Sequence, residues 1–133
     1  MFVLDTNVLS EVLRLRPSPG VIRRLLENSS KTLFASELTR YELRFGAALR
    51  ADAPVFWSRL QRDLLPLVTW LAVTEPVSLR AADIAAAQRL SGRPCGTIDP
   101  LIAATALDRG LPLVTRNVQH FEQVEGLEVQ NWF

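Results

Sequence analysis

The sequence predicts an α/β domain: a three-layer α/β/α sandwich around a central, mostly parallel sheet. Three observations carry that expectation. The runs FVLD (2–5), TLFAS (32–36) and LPLVT (111–115) are apolar without polar alternation, as strands covered on both faces should be. Segments of helical character separate them, and strands alternating with helices build parallel sheets. The chain's 133 residues hold no internal repeat, low-complexity tract or linker, so residues 1–133 are read as a single domain.

The elements follow in order. FVLD delivers Asp5 to its carboxyl end, and TNVLSEVLRL reads as a helix stopped by a PSPG turn at 17–20. GVIRRLLEN forms a second helix, with Val21, Leu25 and Leu26 expected on its apolar side. After the strand TLFAS, Ser36 can cap the helix ELTRYELRFGAALR, whose apolar stripe is expected through Leu38, Tyr41, Phe45, Ala48 and Leu49. Residues 54–72 read as a strongly apolar helical segment bent or broken at Pro66. Its apolar residues, from Val55 to Leu71, exceed what one helical stripe can bury, so part of them should stay exposed as an interface. VTEPVS (73–78) suggests a short strand, LRAADIAAAQRL an Ala-rich helix, and GTIDPLIAATALDRG a helix with start and stop signals. LPLVT is a buried strand and LEVQNWF an edge strand.

Composition excludes several classes. No apolar run approaches the ~20 residues of a membrane helix. No basic stretch leads into an apolar region and a small-residue cleavage site, and the first strand starts so early that no removable leader is expected. A single cysteine, Cys95, offers neither a disulfide framework nor a zinc cluster, which suits a cytoplasmic protein with a packed, inert thiol. A net charge of +1 does not announce a nucleic-acid binder. Fourteen of the fifteen basic residues are Arg, the better bidentate phosphate ligand, although a GC-rich genome would produce the same bias.

Four polar positions stand where a parallel sheet binds ligands, beyond the carboxyl ends of its strands. Asp5 closes the first strand. Glu42 borders the apolar stripe of its helix, where a carboxylate needs a partner: an ion pair with Arg40, Arg44 or a remote Arg, or a cation. Glu37, by contrast, is a first-turn acid favoured by the helix dipole. Asp99 precedes Pro100 and reads as an N-cap, a role compatible with holding a metal. Asn117 follows the strand LPLVT, where it serves either the crevice or a turn. Three carboxylates ~5 Å apart would repel by roughly 3 kcal/mol per pair at an effective dielectric of ~20. Such a cluster protonates, spreads or binds a cation, and all-oxygen ligands point to Mg²⁺ or Mn²⁺. His120, the sole histidine, is expected at the surface or beside the site's ligands, and not as a ligand itself.

LDTNVLSEVL, YELRFGAAL, DPLIAATAL and VTRNVQHF resemble, in order, the motifs of PIN-domain ribonucleases. The similarity is strongest to VapC toxins of bacterial type II toxin–antitoxin systems, in their FitB-like branch, and runs from residue 2 to about 131. No single motif decides the matter; four in order at full-domain length make the signal. The resemblance implies a PIN-like sandwich with an acidic pocket holding Mg²⁺ or Mn²⁺, and endoribonuclease cleavage of single-stranded or looped RNA. It matches Asp5, Glu42 (in an E-L-x-x-G pattern completed by Gly46) and Asp99 to the family's metal-binding acids. Asn117 falls where many relatives carry a fourth acid, a departure that removes one negative charge. The resemblance also implies a homodimer neutralised by a VapB-like antitoxin, with DNA contacted only through that antitoxin.

Two other readings compete. A catalytically weak PIN-fold binding module, acting mainly through a DNA-binding antitoxin complex, is favoured only by Asn117. A receiver or haloacid-dehalogenase-type phosphatase fits poorly, since the first strand ends in DTN and not in an acidic pair or D-x-D. The absence of G-x-G-x-x-G and of a P-loop argues against nucleotide cofactors.

Overall fold

The computed structural model describes residues 1–133. Five strands form one sheet: β1 (Phe2–Leu4), β2 (Leu33–Ser36), β3 (Thr69–Leu71), β4 (Leu113–Val114) and β5 (Val129–Gln130). Their order is β3-β2-β1-β4-β5, and every neighbouring pair is parallel. The chain therefore winds outward from β1 in one direction and then returns to β1's other side, so the switch point lies between β1 and β4.

Seven helices cover the sheet: α1 (Thr6–Ser10), α2 (Pro19–Leu26), α3 (Glu37–Ala48), α4 (Ala53–Asp63), α5 (Glu75–Leu90), α6 (Ile98–Arg109) and α7 (Val118–Phe121). Alternate strand residues enter opposite layers. Leu4 and Val114 pack with Val8, Val21, Leu43 and Leu60, whereas Val3 and Leu113 pack with Ile102, Ala106 and Phe121. This alternation within an apolar run is what three layers require. No helix is long and apolar enough to cross a membrane.

Five local expectations are corrected. The first helix is one short α-turn followed by a 3₁₀ segment at Glu11–Leu13. PSPG is no simple turn, because Pro19 opens α2, where its missing N–H has no partner to lose. On that helix Val21 is buried but Leu26 is exposed. The apolar segment after Pro54 divides into α4, a 3₁₀ turn at Leu65–Leu67 and strand β3, which the helical reading hid. VTEPVS is not a strand: the Thr74 hydroxyl accepts from the Val77 N–H and caps α5.

That division also buries what was expected to be exposed. Leu60, Leu64, Leu65, Val68 and Leu71 are core residues, leaving chiefly Val55 and Leu67 outside. The exposed apolar face lies on α3 instead. Its buried stripe is Thr39, Leu43 and Ala47, while Tyr41, Phe45 and Leu49 are 57%, 56% and 74% exposed.

Candidate active site at the sheet switch point

β1 ends at Leu4, and the Asp5 N–H still donates to the Val114 carbonyl of β4 (2.9 Å). The next residues turn into α1, with Asp5 as its N-cap: extended backbone, a carbonyl accepting from Val8 and Leu9, and a side chain accepting from Thr6. The carboxylate is only 4% exposed. Its Oδ1 accepts from the Thr6 N–H (2.8 Å), and its Oδ2 from Thr115 Oγ1 (2.8 Å) and Asn7 Nδ2 (3.0 Å). Burial raises the Asp5 pKa to about 6; the bonds from Thr115 and Thr6 pull it down, and the charges of Asp99 and Glu42 push it up.

Glu42 is half-buried on α3, and its Oε1 accepts from Thr6 Oγ1 at 2.6 Å. Thr6 Oγ1 also lies 3.2 Å from Thr39 Oγ1. A hydroxyl has one hydrogen, so with Thr6 donating to the carboxylate, Thr39 donates to Thr6. The alternative of an arginine partner for Glu42 falls away. Arg40 pairs with Glu37 and lies over Trp70, and Arg44 lies over Trp57.

Asp99 is the second residue of α6, with Thr97 as N-cap, which corrects the expected capping role. Pro100 fits at the third position because the first four N–H groups of a helix have no intrahelical partner anyway. Asp99 stays in the first turn, where the helix dipole favours its charge. Its Oδ2 lies 2.8 Å from His120 Nδ1, so the sole histidine stands behind an acid, as expected. Cys95 is half-buried nearby, its Sγ 3.8 Å from the His120 carbonyl. Asn117 is exposed; its N–H donates to Thr115 Oγ1 (3.0 Å), and its side chain makes no hydrogen bond.

Asp5 thus senses both other acids, while Glu42 and Asp99 are each held by a different neighbour, Thr6 and His120. As they stand, no three acidic, histidine or cysteine side chains are grouped closely enough to ligate one ion. The donor chemistry nonetheless fits a hard divalent cation: oxygen ligands, excess negative charge and a carboxylate disfavoured in its charged form until a cation joins it. Sequence reasoning did not assign roles to Thr6, Asn7 and Thr39. The first two adjoin Asp5 in DTN, and their polarity immediately after an apolar strand was the available signal.

A parallel sheet gathering acids at its switch point defines an α/β protein with a strand-end acidic site. The sequence matches the PIN domain family over residues 2–127, and the chain belongs to that family. It is 37% identical to VapC ribonuclease Y4jK of Sinorhizobium fredii, over 98% of this chain and 96% of that protein. It is 35% identical to toxin FitB of Neisseria gonorrhoeae, over 91% of each. The solved structure of FitAB bound to an IR36 DNA fragment superposes with a TM-score of 0.88 at 32% identity, covering 100% of this chain and 96% of the other.

Proposed function

We propose that this chain is a metal-dependent endoribonuclease and the toxin of a VapBC-type toxin–antitoxin pair. The observation that carries the reading is the acidic switch-point site: a buried Asp5 facing the charges of Glu42 and Asp99, with no arginine to neutralise them. Asp5, Glu42 and Asp99 would hold Mg²⁺ or Mn²⁺. A divalent ion there would neutralise charge on the scissile phosphate and acidify a bound water. The chain's own residues prepare the site. Thr6, Asn7 and Thr115 fix Asp5 through three hydrogen bonds, leaving room on its oxygens for a further ligand. His120 orients Asp99, and Thr6 restrains Glu42, which would direct the attacking water. The expected products are a 3′-hydroxyl and a 5′-phosphate.

The names of the relatives support the ribonuclease and toxin reading, and the DNA-bound FitAB structure supports a VapB-like antitoxin as the partner that contacts DNA. A small antitoxin encoded immediately upstream, with a DNA-binding half, is therefore expected, and the pair would act in the cytoplasm. The exposed Tyr41, Phe45 and Leu49 on α3 support a homodimer.

The test is RNA cleavage by purified protein with Mg²⁺ or Mn²⁺, with EDTA, and with Asp99→Asn. Cleavage lost in both of the latter supports the reading; cleavage persisting in EDTA overturns it. A second reading, a catalytically weak module acting through the antitoxin–DNA complex, is favoured by the uncharged Asn117 and by the dispersed acids. It predicts no metal-dependent cleavage but full operator binding by the Asp99→Asn complex.

A further inference from the structure

One arginine is tied to this acidic site through its backbone. Arg116 follows Thr115, the residue that donates to Asp5, and its own N–H donates to Asn7 Oδ1 (3.0 Å). Asn7 in turn donates to Asp5 Oδ2, so a single side chain links the Arg116 backbone to the proposed metal ligand. An arginine joined to such a site could pair with one of its carboxylates. It does not. The side chain is exposed, no carboxylate lies within ion-pair distance, and the guanidinium instead sits over the Phe133 ring, 5.0 Å from its centroid.

Phe133 is held for this contact. The Thr115 N–H bonds to the Gln130 carbonyl (2.9 Å), so the residues after β5 leave the sheet at the same end as Asp5. The Phe133 N–H then donates to Asn131 Oδ1 (2.9 Å). The stack has two electrostatic consequences. The acids keep their charge for a cation, and the exposed, unpaired guanidinium keeps its rigid fork of donors free for an anion.

We propose that Arg116, positioned by Phe133, binds a phosphate of the RNA strand next to the scissile bond. The proposal rests on the RNA-directed reading above and deepens it by naming a substrate contact. Arg116 touches substrate, and Phe133 is a positioning residue. No fold is at stake in removing the guanidinium, because the bond to Asn7 comes from the backbone.

The experiment measures binding of a fluorescein-labelled single-stranded RNA of roughly 20 nucleotides in EDTA, so that cleavage does not intervene. The full chain and the variants Arg116→Ala, Arg116→Lys, Phe133→Leu and Arg62→Ala are compared between about 50 and about 200 mM salt. Arg62 is a surface arginine already paired with Asp63, and its loss controls for net charge. Arg116→Ala should weaken binding several-fold and flatten the plot of log affinity against log salt by ~0.7, the value for one phosphate contact on a single strand. Arg116→Lys should keep the slope but lose affinity, and Phe133→Leu should do the same. An Arg116→Ala slope equal to wild type overturns the proposal, as does an equal loss in Arg62→Ala or a wild-type chain that binds no RNA. Arg116-dependent binding without any metal-dependent cleavage would sink the nuclease reading, overturn the placement beside a scissile bond and leave only an RNA-phosphate contact.

Discussion

Asp5→Asn isolates the electrostatic cost of the site, because an amide imitates a protonated carboxyl. In the unfolded chain Asp5 titrates near 3.8, whereas in the folded protein burial moves it to about 6. The folded state therefore holds a proton through the interval in which the unfolded chain has released it. Stability from this group is complete below pH 3.8 and is lost as pH rises through about 6. The loss amounts to about 3 kcal/mol, and the carboxylate is buried enough that solvent does not discount it. Asn escapes this loss. It brings a second hydrogen to a carboxylate position that already accepts from Asn7 Nδ2 and Thr115 Oγ1, and that donor–donor conflict costs about 1 kcal/mol at every pH. Urea unfolding in EDTA, from about pH 4 to about pH 7.5, should show wild type losing about 2.5 kcal/mol relative to the variant. Asp5→Asn should thus be slightly less stable at the acid end, more stable at neutral pH, and inactive throughout. Parallel pH profiles for the two proteins would refute the reasoning, and so would an unfolded variant at neutral pH.

Other outcomes follow from the same geometry. Asn117→Asp should tighten Mn²⁺ binding several-fold by calorimetry, since it adds an anionic oxygen beside Thr115; unchanged affinity would put this side chain outside the metal's reach. Light scattering at micromolar concentration should find a dimer for wild type and a monomer for Phe45→Glu, which places a charge on the exposed face of α3. In that monomeric background Gly46→Ala should stabilise the chain by about 0.5–1 kcal/mol, because a Cβ there meets no atom within 4 Å while glycine weakens a helix interior. Chemical unfolding would register the opposite sign if Gly46 were needed by the monomer.

The fold was legible where a strand is bounded by unlike neighbours. β1, β2 and β4 are apolar runs ending in Asp5, Ser36 and Thr115, and the polarity change marks both the strand end and the binding edge. β3 was hidden because Thr69–Leu71 continues the apolar composition of α4 and its 3₁₀ turn. Only tertiary packing distinguishes a short buried strand from the end of a buried helix there. The start of α5 was legible but misread: Thr74 followed by Glu75 and Pro76 is a capped helix start. On α3 the apolar stripe was real, yet the core took the face with Thr39, Leu43 and Ala47. A periodicity locates a face; it does not say whether the chain's own core or a second chain covers it.

The site was legible as a set of acids and illegible as a network, because its links join residues far apart in sequence. Thr6 reaches Glu42 across 36 residues, Thr115 reaches Asp5 across 110, and His120 reaches Asp99 across 21. The placing of the chain's fourteen arginines was equally illegible, because many of them settle on aromatic rings. All three tryptophans carry an arginine: Arg44 on Trp57, Arg40 on Trp70 and Arg24 on Trp132. Arg50 and Arg116 lie likewise over Phe56 and Phe133. Arg40 and Arg50 pair with Glu37 and Asp52 as well, whereas Arg24, Arg44 and Arg116 have no carboxylate within ion-pair distance. A chain with a net charge of only +1 thereby leaves the acids of its sheet switch point without an arginine partner and Arg116 without a carboxylate. That separation of charge, and no excess of either sign, is what would let one small domain hold a cation and a phosphate side by side.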